Sequence, residues 1–84
     1  MTAYEVIWLD PVLEKLAAVW VESPDRTLVT SAAEAIDFVP SHEPREFGVW
    51  LRGTTYVIFA EPIVVIFDII EDDHHVRILD LWRR

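Results

Sequence analysis

Apolar residues fall in two rhythms along this chain, and the change of rhythm divides it. Tyr4-Glu5-Val6-Ile7-Trp8-Leu9 is β-branched and aromatic apart from one Glu. It reads as a first strand. Leu13, Leu16, Ala17 and Trp20 then recur at i, i+3, i+4 and i+7, the stripe of one helix face. Asp10 is placed to cap the free N–H groups of that helix. Pro11 suits its first position, where a missing N–H costs nothing. Ser23-Pro24-Asp25 repeats the start signal, with an acid facing the positive helix end. Leu28, Ala32, Ala35, Ile36 and Val39 form a second stripe. Pro40 is expected to stop this helix at about Phe38 or Val39. Helices joined so tightly form an antiparallel hairpin.

Ser41 to Glu46 reads as a polar loop, and beyond it the period changes. Thr55 to Ala60, Ile63 to Ile70 and Val76 to Arg83 are rich in Val, Ile, Phe, Tyr and Trp. Glu61-Pro62 and Glu71-Asp72-Asp73-His74-His75 interrupt them as turns. These are three consecutive antiparallel strands. Val49-Trp50-Leu51, before Gly53, is either a short extra strand or an ordered loop. The predicted fold class is α+β, ordered β-α-α-β-β-β, with the helix hairpin packed on one face of a four-stranded antiparallel sheet.

Register arithmetic sorts the strand residues into two faces. Pairing Ala60 with Ile63, and Ile70 with Val76, puts Tyr56, Ile58, Ala60, Ile63, Val65, Phe67, Ile69, Leu79 and Leu81 together. The other set is Val57, Phe59, Val64, Ile66, Asp68, Ile70, Val76, Ile78, Asp80 and Trp82. Two short helices cover only one face. The first set carries no charge along its centre and belongs beneath them. The second set is then open, yet far more apolar than a solvated surface, and a contiguous patch of that kind marks a partner site.

Composition narrows the function classes. The 84 residues are one domain, 1–84, on the prior of ~100–200 residues per domain. The absence of cysteine excludes disulfides and thiolate metal sites. No apolar run approaches the ~18 residues of a membrane span. No basic stretch leads an apolar segment at the N-terminus, so the expected compartment is the cytoplasm. Seven basic residues stand against 15 acidic ones, for a net charge of −8. The Lys and Arg excess on which non-specific nucleic-acid binding relies is missing. With two glycines in the chain there is no Gly-rich phosphate loop, and no Ser/His/Asp order or zinc spacing appears. No metal and no cofactor is expected.

The chain resembles the RelE/ParE superfamily of toxin–antitoxin toxins. The resemblance rests on the opening Tyr4-Glu5-Val6-Ile7-Trp8 and the aromatic strand Tyr56-Val57-Ile58-Phe59. It continues through Pro62 to Asp68, the acidic turn Glu71-Asp72-Asp73, and an apolar last strand from Val76 to Trp82 followed by Arg83. It spans nearly the whole chain as a pattern rather than an invariant motif. It implies a toxin of a type II toxin–antitoxin, or plasmid stabilisation, system, neutralised by a cognate antitoxin that covers part of the sheet. It also implies either ribosome-dependent mRNA cleavage or gyrase poisoning. Ribonuclease members carry Lys and Arg on the sheet to stabilise developing charge. Here the sole Lys, Lys15, falls on the first helix, and Trp82 stands where a titratable residue would serve.

Three kinds of site residue follow. Arg52, Arg77 and Arg83 are the candidate catalytic cations for a RelE-type endoribonuclease, although a salt bridge to one of the acids explains Arg52 equally well. Phe59, Ile66, Asp68, Asp80 and Trp82 are the candidate partner-binding residues, with Trp82 the natural anchor. Asp68 and Asp80 read as a socket for a basic antitoxin residue or as guards against aggregation, ahead of a paired-carboxylate site. His74-His75 reads as a solvated hairpin tip rather than a metal site, and His42 as a surface residue beside Glu43. Protein binding through the open face is the leading function. Ribonuclease action is the runner-up, and an orphan homodimerisation module is the third reading.

Overall fold

The computed structural model describes residues 4–42 and 44–84. Its elements run β1 (Glu5–Trp8), α1 (Asp10–Glu22), α2 (Arg26–His42), α3 (Pro44–Phe47), β2 (Val49–Arg52), β3 (Thr55–Ala60), β4 (Ile63–Ile70) and β5 (His75–Arg83). The strands make one sheet in the order β1-β5-β4-β3-β2. The α+β class and the helix hairpin on one face are as expected. The sheet, however, has five strands, because Val49–Arg52 pairs with β3. It is also mixed, because β1 lies parallel to β5. No tight turn joins those two strands. Helices cross between them, and a crossover connection permits a parallel pair.

The helix starts differ in kind. The Leu9 carbonyl accepts the Val12 and Leu13 N–H groups at 2.9 and 3.0 Å. Leu9 is therefore the cap of α1, and Asp10 is its first residue, with no side-chain cap bond. The Asp10 carboxylate acts there only through the helix dipole. At α2 the Asp25 carboxylate accepts the Leu28 N–H at 3.3 Å, so Asp25, expected inside the first turn, is the cap itself and the helix starts one residue later at Arg26. Pro40 does not end this helix, which continues to His42. A proline this close to the end removes one backbone donor and little else. Part of the expected Ser41–Glu46 loop is α3. The Glu43 position and the His42 side chain lie outside the described residues.

The helical stripes are rotated from the predicted ones. Val12, Leu16 and Val19 face the sheet from α1, and Val29, Ala32 and Ile36 are the buried residues of α2. Leu13, Trp20 and Leu28 remain exposed, and Ala17 and Ala35 with them. Beneath the helices lie Ile58, Ile63, Val65, Phe67, Ile69, Val76, Ile78 and Leu81, with Tyr56 and Ala60 packed against them. Each fully buried aliphatic or Phe side chain contributes about 1.5–3 kcal/mol relative to exposure.

Val76 and Ile78 were expected on the open face and belong to this core, whereas Leu79 is 37% exposed. The register explains it. Ile70 pairs with His75, not Val76, and Asp68 pairs with Arg77, not Ile78. A β-bulge between Ile66↔Asp80 and Phe67↔Ile78 then leaves Leu79 without a partner. The extra residue shifts the alternation, so Val76, Ile78 and Leu81 all point inward although strict period two forbids it.

Candidate functional site

Cross-strand partners share a face, so the ladder lays out the uncovered side of the sheet as rows. One row runs Trp82–Val64–Phe59. The next contains Asp80, Ile66, Val57 and Val49. The third runs Ile7–Arg77–Asp68–Thr55–Arg52 across all five strands. The last is Glu5–His75–Ile70. The open face thus has an apolar end and a polar end, joined at the centre of β4.

The apolar end gathers four of the five candidate partner-binding residues. Phe59 is 56% exposed and Trp82 is 44% exposed, while Val64 between them is buried. Ile66 and Asp80 complete the adjoining row. The Arg84 guanidinium lies over the Phe59 ring, 5.2 Å from its centroid, and pairs with Glu61 at 3.2 Å. One cation therefore holds the rim of the patch in place.

The two aspartates do not make a paired-carboxylate site, because each has its own cation. Lys15 reaches from α1 to Asp80 at 2.6 Å, and the Leu81 N–H donates to the same carboxylate at 2.8 Å. The hydrogen bond from Lys15 holds the Asp80 carboxyl below the ordinary aspartate range, helped by the Leu81 amide and opposed by desolvation. Asp68, whose side chain is 19% exposed, accepts the Thr54 hydroxyl and faces Arg77 at 3.9 Å.

The candidate catalytic arginines separate. Arg52 and Arg77 share the polar row, about 14 Å apart as three strand spacings, with Thr55 and Asp68 between them. Arg83 pairs with Ile63 at the opposite end of the strands, in register with a residue of the covered face. Among the described residues Arg52 and Arg83 form no ion pair. Arg77 is engaged by Asp68.

The hairpin tip is Glu71–His74, so of the two histidines expected there only His74 belongs to it, and His75 opens β5. His74 adopts φ 53 and packs its ring 5.3 Å from that of Tyr4. His75 faces Glu5 at 3.8 Å. Beside them the Tyr4 hydroxyl donates to Glu71 at 3.2 Å, and Arg45 pairs with Glu71, so α3 is tied to the tip. Among the described residues no group of three or more His, Cys, Asp or Glu is arranged to hold a metal ion. No described helix is long and apolar enough to cross a membrane.

Sequence reasoning missed a second concave surface. The hairpin leaves a groove of about 480 Å³ between α1 and α2, lined by Trp8, Leu13, Leu16, Ala17, Trp20, Val29 and Ala33, with Thr30, Glu34 and Asp37 among its polar walls. Both indoles are satisfied, Trp8 by Asp37 at 3.2 Å and Trp20 by Thr30 at 3.1 Å. The signal was available: Leu13, Leu16, Ala17 and Trp20 spell the wall of this groove, whereas Val12, Leu16 and Val19 spell the sheet-facing stripe.

No family model matches the chain, nor does any curated protein. Solved structures do. The toxin–antitoxin complex RelBE2 from Mycobacterium tuberculosis is similar at a TM-score of 0.81 and 20% identity, over 100% of this chain and 94% of that one. The archaeal RelE–RelB complex from Pyrococcus horikoshii OT3 is similar at 0.74 and 25%, over 100% and 97%. A mutant E. coli toxin RelE in the free state follows at 0.69 and 16%, over 96% and 83%. With its helix hairpin, its strand order and these likenesses, the chain has the fold of the RelE toxin superfamily.

Proposed function

We propose that this chain is the toxin member of a type II toxin–antitoxin pair in the cytoplasm, and that it acts by binding protein through the apolar end of its open sheet face. The observation that carries this reading is the contiguity of Phe59, Ile66 and Trp82 across adjacent rows, uncovered by either helix. Exposed aromatic anchors around a packed centre are what a protein interface uses. Two of the similar structures are complexes of a toxin with an antitoxin, which supports a cognate antitoxin as the partner. Expression of the chain alone should arrest growth, and co-expression of the adjacent reading frame should restore it. Loss of a plasmid carrying both genes should then be selected against. Harmless expression and a stable homodimer would instead establish the orphan dimerisation module.

A second reading is favoured by one observation, the placement of Arg52 and Arg77 in a single row on the open face. In that reading the chain is a ribosome-dependent mRNA endoribonuclease whose cations stabilise the phosphate charge. A translation block with cleaved mRNA would select it. A replication block would select gyrase as the target.

A further inference from the structure

We infer that the groove between α1 and α2 is a binding site for a small organic cation, an amine or guanidine carried on an aromatic or branched apolar body. The groove lies on the helix side of the molecule, away from the sheet face assigned above to a protein partner, so the inference does not depend on that reading.

The groove is held open by its own small residues. Ala17 of α1 and Ala33 of α2 line it, and Leu13, Ala17 and Trp20 stay exposed although they form its α1 wall. Its volume of about 480 Å³ falls within the range of about 300–1,000 Å³ that small-ligand sites occupy. Two indoles are pinned along it. Trp8 donates to Asp37 at 3.2 Å and Trp20 to Thr30 at 3.1 Å. Thr30 and Asp37 are two turns apart on α2, so the anchor points stand about 10 Å from each other. Rings held in this way are ordered before a ligand arrives, which lowers the cost of binding.

The charge in the groove is one-sided. Glu34 sits between the two anchors, about one turn from each, and has no ion-pair partner among the described residues. Asp37 gives one oxygen to the Trp8 indole and keeps further acceptor capacity. No Lys or Arg lines the groove. The Arg26 guanidinium lies 4.8 Å from the Trp20 ring centroid, outside that lining, so Trp20 offers a ligand apolar contact while the carboxylates take its cation. An anion meets two like charges here, and an uncharged molecule gains nothing from Glu34. Among the described residues no third acid joins these two to hold a bare metal ion.

The test is calorimetric titration of the full chain with probes of one shape and different charge: 4-phenylbutylamine, 4-phenylbutan-1-ol and 4-phenylbutyrate. The amine should bind at least about threefold tighter than the alcohol, and the acid weakest of all. Glu34→Gln should remove the preference for the amine and leave the affinity for the alcohol within about twofold. Asp72→Asn, the same charge change at the hairpin tip, should leave the preference intact. Ala33→Leu should fill the groove and abolish binding of every probe. Because that variant can also repack the hairpin, the parent supplies a second readout: the indole N–H resonances of Trp8 and Trp20 should shift on adding the amine, while those of Trp50 and Trp82 stay in place. The inference is overturned if the amine fails to saturate the chain, if the alcohol or acid binds as tightly, if the preference survives Glu34→Gln, or if the shifts fall on Trp50 and Trp82 instead.

Discussion

Lys15 on α1 holds Asp80 on β5 at 2.6 Å, next to the bulge that reorders the last strand. The bond joins the helix layer to the one stretch of β5 that β1 does not cover. Both side chains are about half exposed, so the pair is screened and worth only about 0.2–1 kcal/mol. The lowered Asp80 pKa fixes the sign of its pH dependence. A depressed folded-state pKa adds stability above the unfolded value, and that stability is lost as pH falls through the folded one. Lys15→Met should therefore cost about 0.5 kcal/mol at neutral pH, and the difference from the parent should shrink below about pH 4. Urea unfolding at both pH values measures it.

The bulge makes a sharper prediction. Ile78 is fully buried and Leu79 is not, although a regular strand read from the sequence reverses them. Ile78→Ala should cost about 2–5 kcal/mol and Leu79→Ala less than about 1 kcal/mol. Equal losses in chemical denaturation would mean that the alternation is regular after all.

The two glycines are required for different reasons. At Gly53 the backbone has φ 51 and nothing lies within 4 Å of an added Cβ. Gly53→Ala should cost about 1 kcal/mol, entirely through the backbone. At Gly48 an added Cβ would sit 2.8 Å from the Phe67 ring and 3.1 Å from Tyr56. Gly48→Ala should destabilise by about 1–3 kcal/mol through displacement of the core aromatic. A compensating Phe67→Leu change should recover part of the loss at Gly48 and none at Gly53.

The arginines separate the two functional readings. If the chain acts by binding protein at the apolar end, Arg52→Ala and Arg77→Ala leave growth arrest intact. If it cleaves RNA, each should weaken arrest sharply, because removing one charge-stabilising donor costs about 10²–10³ in rate. Arg83→Ala, at the far end of the strands, should be silent in either case.

Much of this architecture was legible because local rules and tertiary demands agree. The second helix begins within three residues of its Ser23-Pro24-Asp25 signal, and Tyr56–Phe67 and Ile58–Val65 pair as the Glu61-Pro62 turn dictates. Register failed at β5 because one unpaired residue, Leu79, is a tertiary choice that buries Val76, Ile78 and Leu81 together. Their spacing of two and then three was visible, but a strand template of period two does not admit it. β1 was misjudged for a different reason: its direction depends on the path of the helices, not on any turn. The apolar end of the site was readable from alternation alone. The polar row was not, since the Asp68–Arg77 partnership appears only once the hairpin tip is known to be four residues long.

The central claim is that the sheet face around Phe59 and Trp82, rather than the helix side, receives the partner. Calorimetric titration with whichever protein is found to relieve growth arrest by this chain tests it most directly. Phe59→Ser combined with Trp82→Ser should weaken binding by at least about thirtyfold while the unfolding midpoint stays close to that of the parent. Leu13→Ser, in the groove between the helices, should change the affinity by less than about threefold. The reverse pattern, with affinity lost at Leu13 and kept at Phe59 and Trp82, would contradict the account.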